Sequence, residues 1–183
     1  MPLSKSAPRR HIHTREIRCL GFEREDGLWD IEGTMIDTKT YNVDNQDRNG
    51  IAAGEPVHEM RVRLTIDTDM VVHEIEVATD SGPYGMCGDI VASYQSLKGL
   101  KVSAGWRRGV LERLGGAKGC THHTDLLLGP IAVTAFQTMR KVRAQRAEAA
   151  GPTARPVTLD TCHALASTSP VVKSRWPQFY TGR

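Results

Sequence analysis

The sequence lacks the features that mark several large classes of protein. Only 5% of its 183 residues are aromatic, and no apolar run approaches the roughly 18 to 20 residues that cross a membrane. It contains no GxGxxG, no phosphate-binding P-loop, no GxSxG and no HExxH motif. These absences argue against nucleotide-driven and serine-hydrolase chemistry and against a membrane as partner.

A disulfide framework is missing as well. The four cysteines are widely spaced and form no CxxC pair: Cys19, Cys87, Cys120 and Cys162. In a reducing compartment such cysteines are typically thiols or metal ligands. The N-terminus has no apolar signal-peptide core, so we expect a cytoplasmic protein.

Strong charge of either sign is the third absence. The 24 Lys and Arg residues nearly balance the 21 Asp and Glu residues, which leaves a formal net charge of +3. That charge is too small to argue for nucleic acid, and the basic run at 140–146 is typical of the end of a helix. We expect a small-molecule substrate as the partner, and the composition leaves a homodimer open.

What is present is the composition of an ordinary globular protein, with 39% apolar and 25% charged residues. We expect a flexible basic arm over residues 1–13, a single α+β domain over residues 14–150 and an irregular C-terminal extension over residues 151–183. Because the extension ends with Trp176, Phe179 and Tyr180, we expect it to pack back on the domain.

Two β-hairpins are predicted in the first half of the chain. The turn signal Glu25-Asp26-Gly27 separates IRCLGFER from LWDIEGTMIDTK, and TDM separates HEMRVRLTID from VVHEIEVATD. In the third run, apolar residues from His58 to Ile66 alternate with charged ones, which places His58 on the inward face. By the same period, Val71, His73, Ile75 and Val77 should share one face.

The second half of the chain has helical signals. Ile90, Val91, Tyr94 and Leu97 are spaced as on a helix, and Thr124 and Asp125 can cap a long helix that Pro130 would interrupt or kink. The predicted fold is therefore α+β: an antiparallel sheet of two hairpins with helices packed on one face.

Segments spread over nearly the whole chain resemble one bacterial family. They are DGLWDIEGTMIDTK, GEPVHEMRVRLTID, GPYGMC, LKGLKVSAGW, GGAKGCTH and DTCHA. They are similar to the family called domain of unknown function 2889. The number of matching segments makes the resemblance specific, although the family name implies no activity.

Residues 56–143 also resemble the NifU/IscU-type iron-sulfur scaffold, in which two strands precede a cysteine at a helix start and a ligand at the head of a last helix. The resemblance implies a NifU/IscU-like core. The positions that match the family's metal ligands are His58, Cys87 and His122, with Cys120 two residues earlier. The chain departs from the family at His58, where the family has cysteine, and at Met60, where it has aspartate.

Thiolate and imidazole groups that converge in this way would suit a tetrahedral zinc or an iron ion. A helix start would also lower the pKa of Cys87 or Cys120, which would make either a reactive thiolate. The alternatives are a buried core thiol at Cys87, a satisfied core histidine at His58, and an exposed His123, because only one of two adjacent histidines easily faces inward.

A second candidate group lies on the first hairpin. Trp29, Ile31, Gly33, Met35, Asp37 and Lys39 share one strand face. If Asp37 and Lys39 face inward, they must pair or titrate, which suits proton transfer; the alternative is a surface pair. We take His58, Asp37, Lys39 and Tyr84 as the candidate catalytic residues.

Three functions fit these residues. The first is a small-molecule enzyme that performs a lyase-type step, by acid–base or metal-assisted chemistry, on a hydroxylated compound, with aromatic compounds among the candidates. The second is a carrier of a metal or iron–sulfur cluster, and the third is a metal-free binding protein. A carrier keeps its ligands exposed, whereas an enzyme covers them; Cys162, His163 and Trp176 suggest a cover, which favours the enzyme.

Overall fold

The structure is a computed structural model that describes residues 2–151 and 153–182. The described chain forms four strands and five α-helices, which confirms the α+β class. It divides into two compact units between Thr138 and Met139, and each unit is described by itself. The expected end of the domain at residue 150 instead lies after the first helix of the second unit.

The first unit is built on one antiparallel sheet in the order β1-β2-β3-β4. Its strands are β1 His13–Glu23, β2 Trp29–Lys39, β3 Pro56–Ile66 and β4 Val72–Ser81. Both predicted hairpins are confirmed. His13 was assigned to the arm but begins β1; residues 2–12 before it contain neither helix nor strand.

The predicted alternation of faces along β2 and β3 is also confirmed. Every second residue of β2 from Trp29 to Asp37 is buried, as are Met60, Val62, Leu64 and Ile66 of β3. These inward side chains form the core, and the charged residues between them lie on the outer face. Burial of this face is the main force that fixes the register, since a slip of one residue would expose all of it.

The predicted face of β4 is wrong at His73. Thr65 pairs with Glu74 and Ile66 pairs with Val72, so His73 is an extra residue in a β-bulge. The bulge turns Val72 and Ile75 both inward and leaves His73 exposed beside Asp67, to which its Nε2 lies at 2.9 Å.

Helical segments follow the sheet. They comprise a 3₁₀ helix at Gly85–Leu97, α1 at Trp106–Leu114, α2 at Thr121–Leu126, a π-helical turn at Leu127–Ile131 and α3 at Ala132–Thr138. The predicted helix around Tyr94 is thus 3₁₀ rather than α. Tyr94 and Leu97 are its buried residues and lie three positions apart, which matches the three-residue repeat of that helix.

The prediction that Thr124 and Asp125 cap the long helix is wrong. Cys120 is the residue before α2, and the backbone N–H of Thr124 donates to the Cys120 carbonyl inside the first turn. Pro130 lies in the π-helical turn, where the irregular hydrogen bonding accommodates the missing N–H. Trp106 Nε1 donates to the Leu127 carbonyl at 2.8 Å and ties α1 to this turn.

Two glycines allow the helical run to lie close against the inner face of the sheet. A Cβ atom at Gly33 would approach Ile131 Cγ1 to 2.9 Å, and one at Gly21 would overlap Thr138 Oγ1. The backbones of β1 and β2 therefore make room for the π-helical turn and α3. This close approach fixes the position of α2, which precedes them.

The second unit contains α4 at Arg140–Ala149 and α5 at Pro170–Arg175. Ser169 caps α5 by accepting the Val172 N–H at 3.2 Å. The extension predicted to be irregular thus includes one short helix, and its packing on the domain stays a prediction. Within the described residues, no helix is long and apolar enough to cross a membrane.

We expect Leu64→Ala to lower the free energy of unfolding by about 2 to 5 kcal/mol, because Leu64 is fully buried in the core. Leu111→Ala is the matched control, since Leu111 is 40% exposed and the same truncation there leaves no cavity. Urea unfolding of the two variants measures the difference. Equal losses in both variants would contradict the assignment of the core.

Candidate functional site

Asp37 is the buried acid at the centre of the candidate site. It lies on the inward face of β2 with 3% of its surface exposed, next to Met35 and the apolar core. Arg15 is its partner in register on β1, and His58 is its partner on β3. The surface-pair alternative is therefore wrong for Asp37.

The carboxylate of Asp37 is held by groups on β1. Arg15 Nε donates to Oδ1 at 2.8 Å and Arg15 Nη2 donates to Oδ2 at 2.7 Å, while His13 Nε2 lies 3.1 Å from Oδ1. A bidentate arginine matches the planar carboxylate and is among the stronger ion-pair geometries. Burial alone would raise the pKa of Asp37, but the hydrogen bonds from Arg15 and His13 and the charge of Arg15 outweigh it and hold the pKa at about 2.

Two histidines lie against the remaining side of this carboxylate. His58 Nδ1 is 3.2 Å and His122 Nε2 is 3.9 Å from Asp37 Oδ2. Their rings touch, with centroids 3.8 Å apart and planes inclined by 33°. His58 comes from β3 and His122 from the first turn of α2, so the cluster joins the sheet to a helix start.

His58 is poorly satisfied for a core histidine. Although its Nδ1 lies near Asp37 Oδ2, that contact is not directed along an N–H bond, and the buried Nδ1 has no hydrogen-bond partner among the described residues. Burial lowers the pKa of His58, and the charge of His122 lowers it further; the Asp37 carboxylate only partly offsets both. The ring is therefore neutral at pH 7.

Cys120 lies on the far side of His122. Its Sγ is 3.8 Å from His122 Nδ1. Burial would raise the pKa of the thiol, but hydrogen bonds from His122 and from the backbone N–H groups of His123 and His122 outweigh it, so the pKa is lowered. The Tyr94 hydroxyl donates to the Cys120 carbonyl at 3.1 Å and accepts the Cys120 N–H at 2.9 Å, which fixes the start of α2.

The prediction of an exposed His123 is wrong. His123 is fully buried, its Nε2 lies 3.0 Å from the Ala78 carbonyl, and its ring packs edge-on against Tyr94. Its neighbour His122 also faces inward, since His122 contacts His58 of β3 while His123 contacts the Ala78 carbonyl of β4. Burial lowers the pKa of His123 and keeps it neutral.

Other predicted site residues lie outside this cluster. The side chain of Cys87 packs against Gly82, next to Thr79, at the end of β4. Tyr84 is 62% exposed. Lys39 is half-buried on the same face as Asp37, but Arg15 rather than Lys39 forms the ion pair with that carboxylate.

Sequence reasoning missed Arg15 and His13. The signal that could have found Arg15 is the hairpin register, which places it directly across from Asp37 once the turn at Gly27 is fixed. Gly27 has a φ of +82°, a left-handed conformation that favours glycine in tight turns. His13 could not be predicted, because it follows a polar segment without apolar periodicity and nothing in the sequence marks it as the first residue of β1.

Within the described residues, Asp37, His58 and His122 form a group whose ligand atoms all lie within 4.8 Å of one another. Of the four residues proposed as metal ligands, the structure thus brings His58 and His122 together with Asp37. Cys120 contacts His122 but lies outside the group, and Cys87 lies apart from it, beside the end of β4. The group can act in proton transfer, or it can supply two imidazoles and one carboxylate to a metal.

Comparison with known proteins gives one match. The family model described as protein of unknown function DUF2889 matches residues 13–137. This range spans all four strands and nearly all of the first unit, and it includes every residue of the cluster. No curated protein and no solved structure matches the chain.

We expect Asp37→Asn to lower the free energy of unfolding by about 2 kcal/mol at pH 7. This is the stabilisation that results when folding lowers the pKa of the Asp37 carboxyl from 3.8 to about 2. The stabilisation is complete above pH 3.8, where the carboxyl of the unfolded chain is also ionised, and is lost as the pH falls towards 2. The difference in free energy of unfolding between wild type and Asp37→Asn should therefore become smaller as the pH falls from 3.8 towards 2.

Asp26→Asn is the control for this prediction. Asp26 also pairs with an arginine, Arg24, but both side chains are exposed and solvent screens the pair. Unfolding curves between pH 2 and pH 7 should show a much smaller change for this variant. If the free energy of unfolding that Asp37→Asn loses does not vary with pH, packing rather than the ion pair accounts for the effect.

Proposed function

The chain belongs to the DUF2889 family, and because that name assigns no activity, we propose a function from the chemistry of the Asp37 cluster, which comprises Asp37, His58 and His122. We propose that the protein is a small-molecule enzyme in which His58 removes a proton and His122 returns one. The observation that carries this proposal is the contact of two histidine rings on one buried, ionised carboxylate.

Asp37 determines which nitrogen of His58 acts. Although Nδ1 makes no directed hydrogen bond, the negative charge of the carboxylate 3.2 Å away favours a proton on that nitrogen, and this leaves Nε2 unprotonated. An imidazole of this kind accepts a proton through Nε2 while the carboxylate stabilises the cation that forms. Asp37 stays ionised throughout, because Arg15 and His13 hold it there.

His122 is placed for the complementary step. Its ring contacts His58, and its two nitrogens face Asp37 and Cys120. When His58 has taken up a substrate proton, its positive charge favours release of the proton carried by a protonated His122 in contact with it. Exchange with solvent then restores the neutral His58 and the protonated His122. The outer parts of the cluster reach solvent, since the side chains of His58 and His122 are 18% and 22% exposed.

A lyase-type step on a hydroxylated, aromatic compound suits this arrangement. Removal of a hydroxyl or carbon-bound proton drives cleavage of the neighbouring bond, and the returned proton completes the fragment that leaves. Such a step needs a base and an acid but no organic cofactor.

The proposal predicts exchange of a substrate proton with solvent. We would incubate the full chain in D₂O with a panel of hydroxylated aromatic compounds and follow deuterium incorporation and bond cleavage by NMR. His58→Gln should reduce the rate by about 10²- to 10⁴-fold, the usual contribution of a general base. Because the pKa of His58 is lowered, its neutral form persists at a pH where an ordinary histidine is already protonated, and the wild-type rate should fall only at a pH below the ordinary histidine pKa.

His73→Gln is the matched control, because His73 also lies beside an aspartate but on the exposed surface. It should retain the wild-type rate and pH profile. Equal rates in the His58 and His73 variants, on any compound that the wild type converts, would contradict the role of His58.

A metal site is the second candidate, and it is supported by the close approach of the three ligand atoms and by the undirected Nδ1 of His58. Asp37, His58 and His122 would hold zinc or iron, which would supply Lewis-acid chemistry or serve as cargo, as a NifU/IscU-like carrier would require. Against it, Arg15 and His13 already make three hydrogen bonds to the carboxylate, and the charge of Arg15 opposes a cation.

Calorimetric titration with Zn²⁺ separates these candidates, with protein purified without a metal-affinity step. The acid–base proposal predicts exchange activity that survives a chelator and no tight zinc binding. The metal candidate predicts one tightly bound ion, lost in His122→Ala and kept in Cys87→Ala, since Cys87 lies outside the cluster. Equal loss of zinc in both variants would contradict this choice of ligands.

A further inference from the structure

Strand β1 forms one edge of the sheet and is open to solvent. It is eleven residues long, and all of them except Thr14 and Cys19 are exposed. The exposed residues include Ile17, Leu20 and Phe22, and Ile12 just before the strand is exposed too. A long edge with apolar side chains is a surface that natural proteins usually cover or pair.

The backbone groups that this edge presents can be identified. At one end of the β1–β2 ladder the Thr40 N–H donates to the Ile12 carbonyl, and at the other the Arg24 N–H donates to the Leu28 carbonyl. The pairing between them is regular, so the even-numbered residues of β1 bond to β2. The N–H and C=O groups of the odd-numbered residues, Ile17 among them, therefore face the open edge.

The outer face of the sheet shows which charges lack a partner. Arg63 bridges Glu32 and Glu76 across three strands, and Arg61 pairs with Glu59 and Asp80. Glu16 and Arg18 lie on the same outer face, at the open edge. Neither of them forms an ion pair with any residue that the structure describes.

We propose that the protein is a homodimer in which β1 pairs antiparallel with β1 of a second copy about a two-fold axis at Ile17. The sheet then continues from one copy into the other. The Ile17 residues of the two copies exchange N–H···O=C hydrogen bonds, as their outward backbone groups require. This proposal concerns a surface and is independent of the proposed function.

Charge selects this register over its neighbours, and an apolar contact adds to it. Centred on Ile17, the outer face brings Glu16 opposite Arg18 of the second copy, and Arg18 opposite its Glu16. These are non-hydrogen-bonded positions, where side chains come closest, with Cβ atoms about 4.5 to 5.5 Å apart. Ile12 then lies opposite Phe22 of the second copy, so two exposed apolar side chains also cover each other.

A shift by two residues in either direction loses the Glu16–Arg18 pairs, although centring on Glu16 would still give Ile12 an apolar partner, Leu20. Centring on Arg18 places two arginines directly opposite each other, and centring on Glu16 does the same with two glutamates. Like charges at directly opposed positions destabilise a sheet. Among the three registers, the one centred on Ile17 is therefore the one that pairs opposite charges, and it also covers apolar side chains of the edge.

The test is a charge-reversal cycle on the full chain, followed by sedimentation velocity over a range of concentrations. Wild type should sediment as a dimer. Glu16→Arg and Arg18→Glu should each weaken association at least tenfold, because each places two like-charged pairs at the interface. The double variant Glu16→Arg/Arg18→Glu should restore the dimer, because it re-creates both pairs with the signs exchanged.

Arg107→Glu on the exposed surface of α1 is the control for charge reversal, and it should remain dimeric. Thermal unfolding by circular dichroism confirms that each variant folds. A monomeric wild type, a dimer that neither reversal weakens, or a double variant that stays monomeric would each overturn the proposal.

Discussion

The site depends on one physical constraint: a carboxylate that is buried in the core must be paired with hydrogen-bond donors and an opposite charge. Asp37 faces the core because strand periodicity turns it there, and an unpaired charge in that position would be costly. Arg15 removes that cost with a bidentate ion pair across the hairpin. The two histidines lie on the open side of the same carboxylate, so that a requirement of folding also brings two imidazole rings and a carboxylate together.

Rigid neighbours hold this group in place. Tyr94 fixes both backbone groups of Cys120 and thereby the turn that carries His122. His123 anchors the same turn on the opposite side by its contact with the Ala78 carbonyl. A histidine in the cluster is thus positioned by a buried histidine next to it, and the pair of adjacent histidines performs two different tasks.

Much of the fold could be predicted because local pattern determines it. Period-two alternation identified the inward face of β2 and β3, and turn residues identified both hairpins. The prediction was wrong where a single residue changed the pattern, as at His73, which a bulge pushes out of the ladder. It was also wrong at the helix cap, since Cys120 is held there by a tertiary contact with Tyr94 rather than by its own side chain.

The sequence by itself determined that Asp37 and His58 face the core, because side-chain direction along a strand follows from neighbours in the chain. Only the tertiary structure decided that Arg15 and His13 meet Asp37, that His122 joins them, and that Cys87 and Tyr84 do not. Those outcomes depend on strand register and on where a helix begins far along the chain. Both are set by packing of the whole core, which no local spacing records.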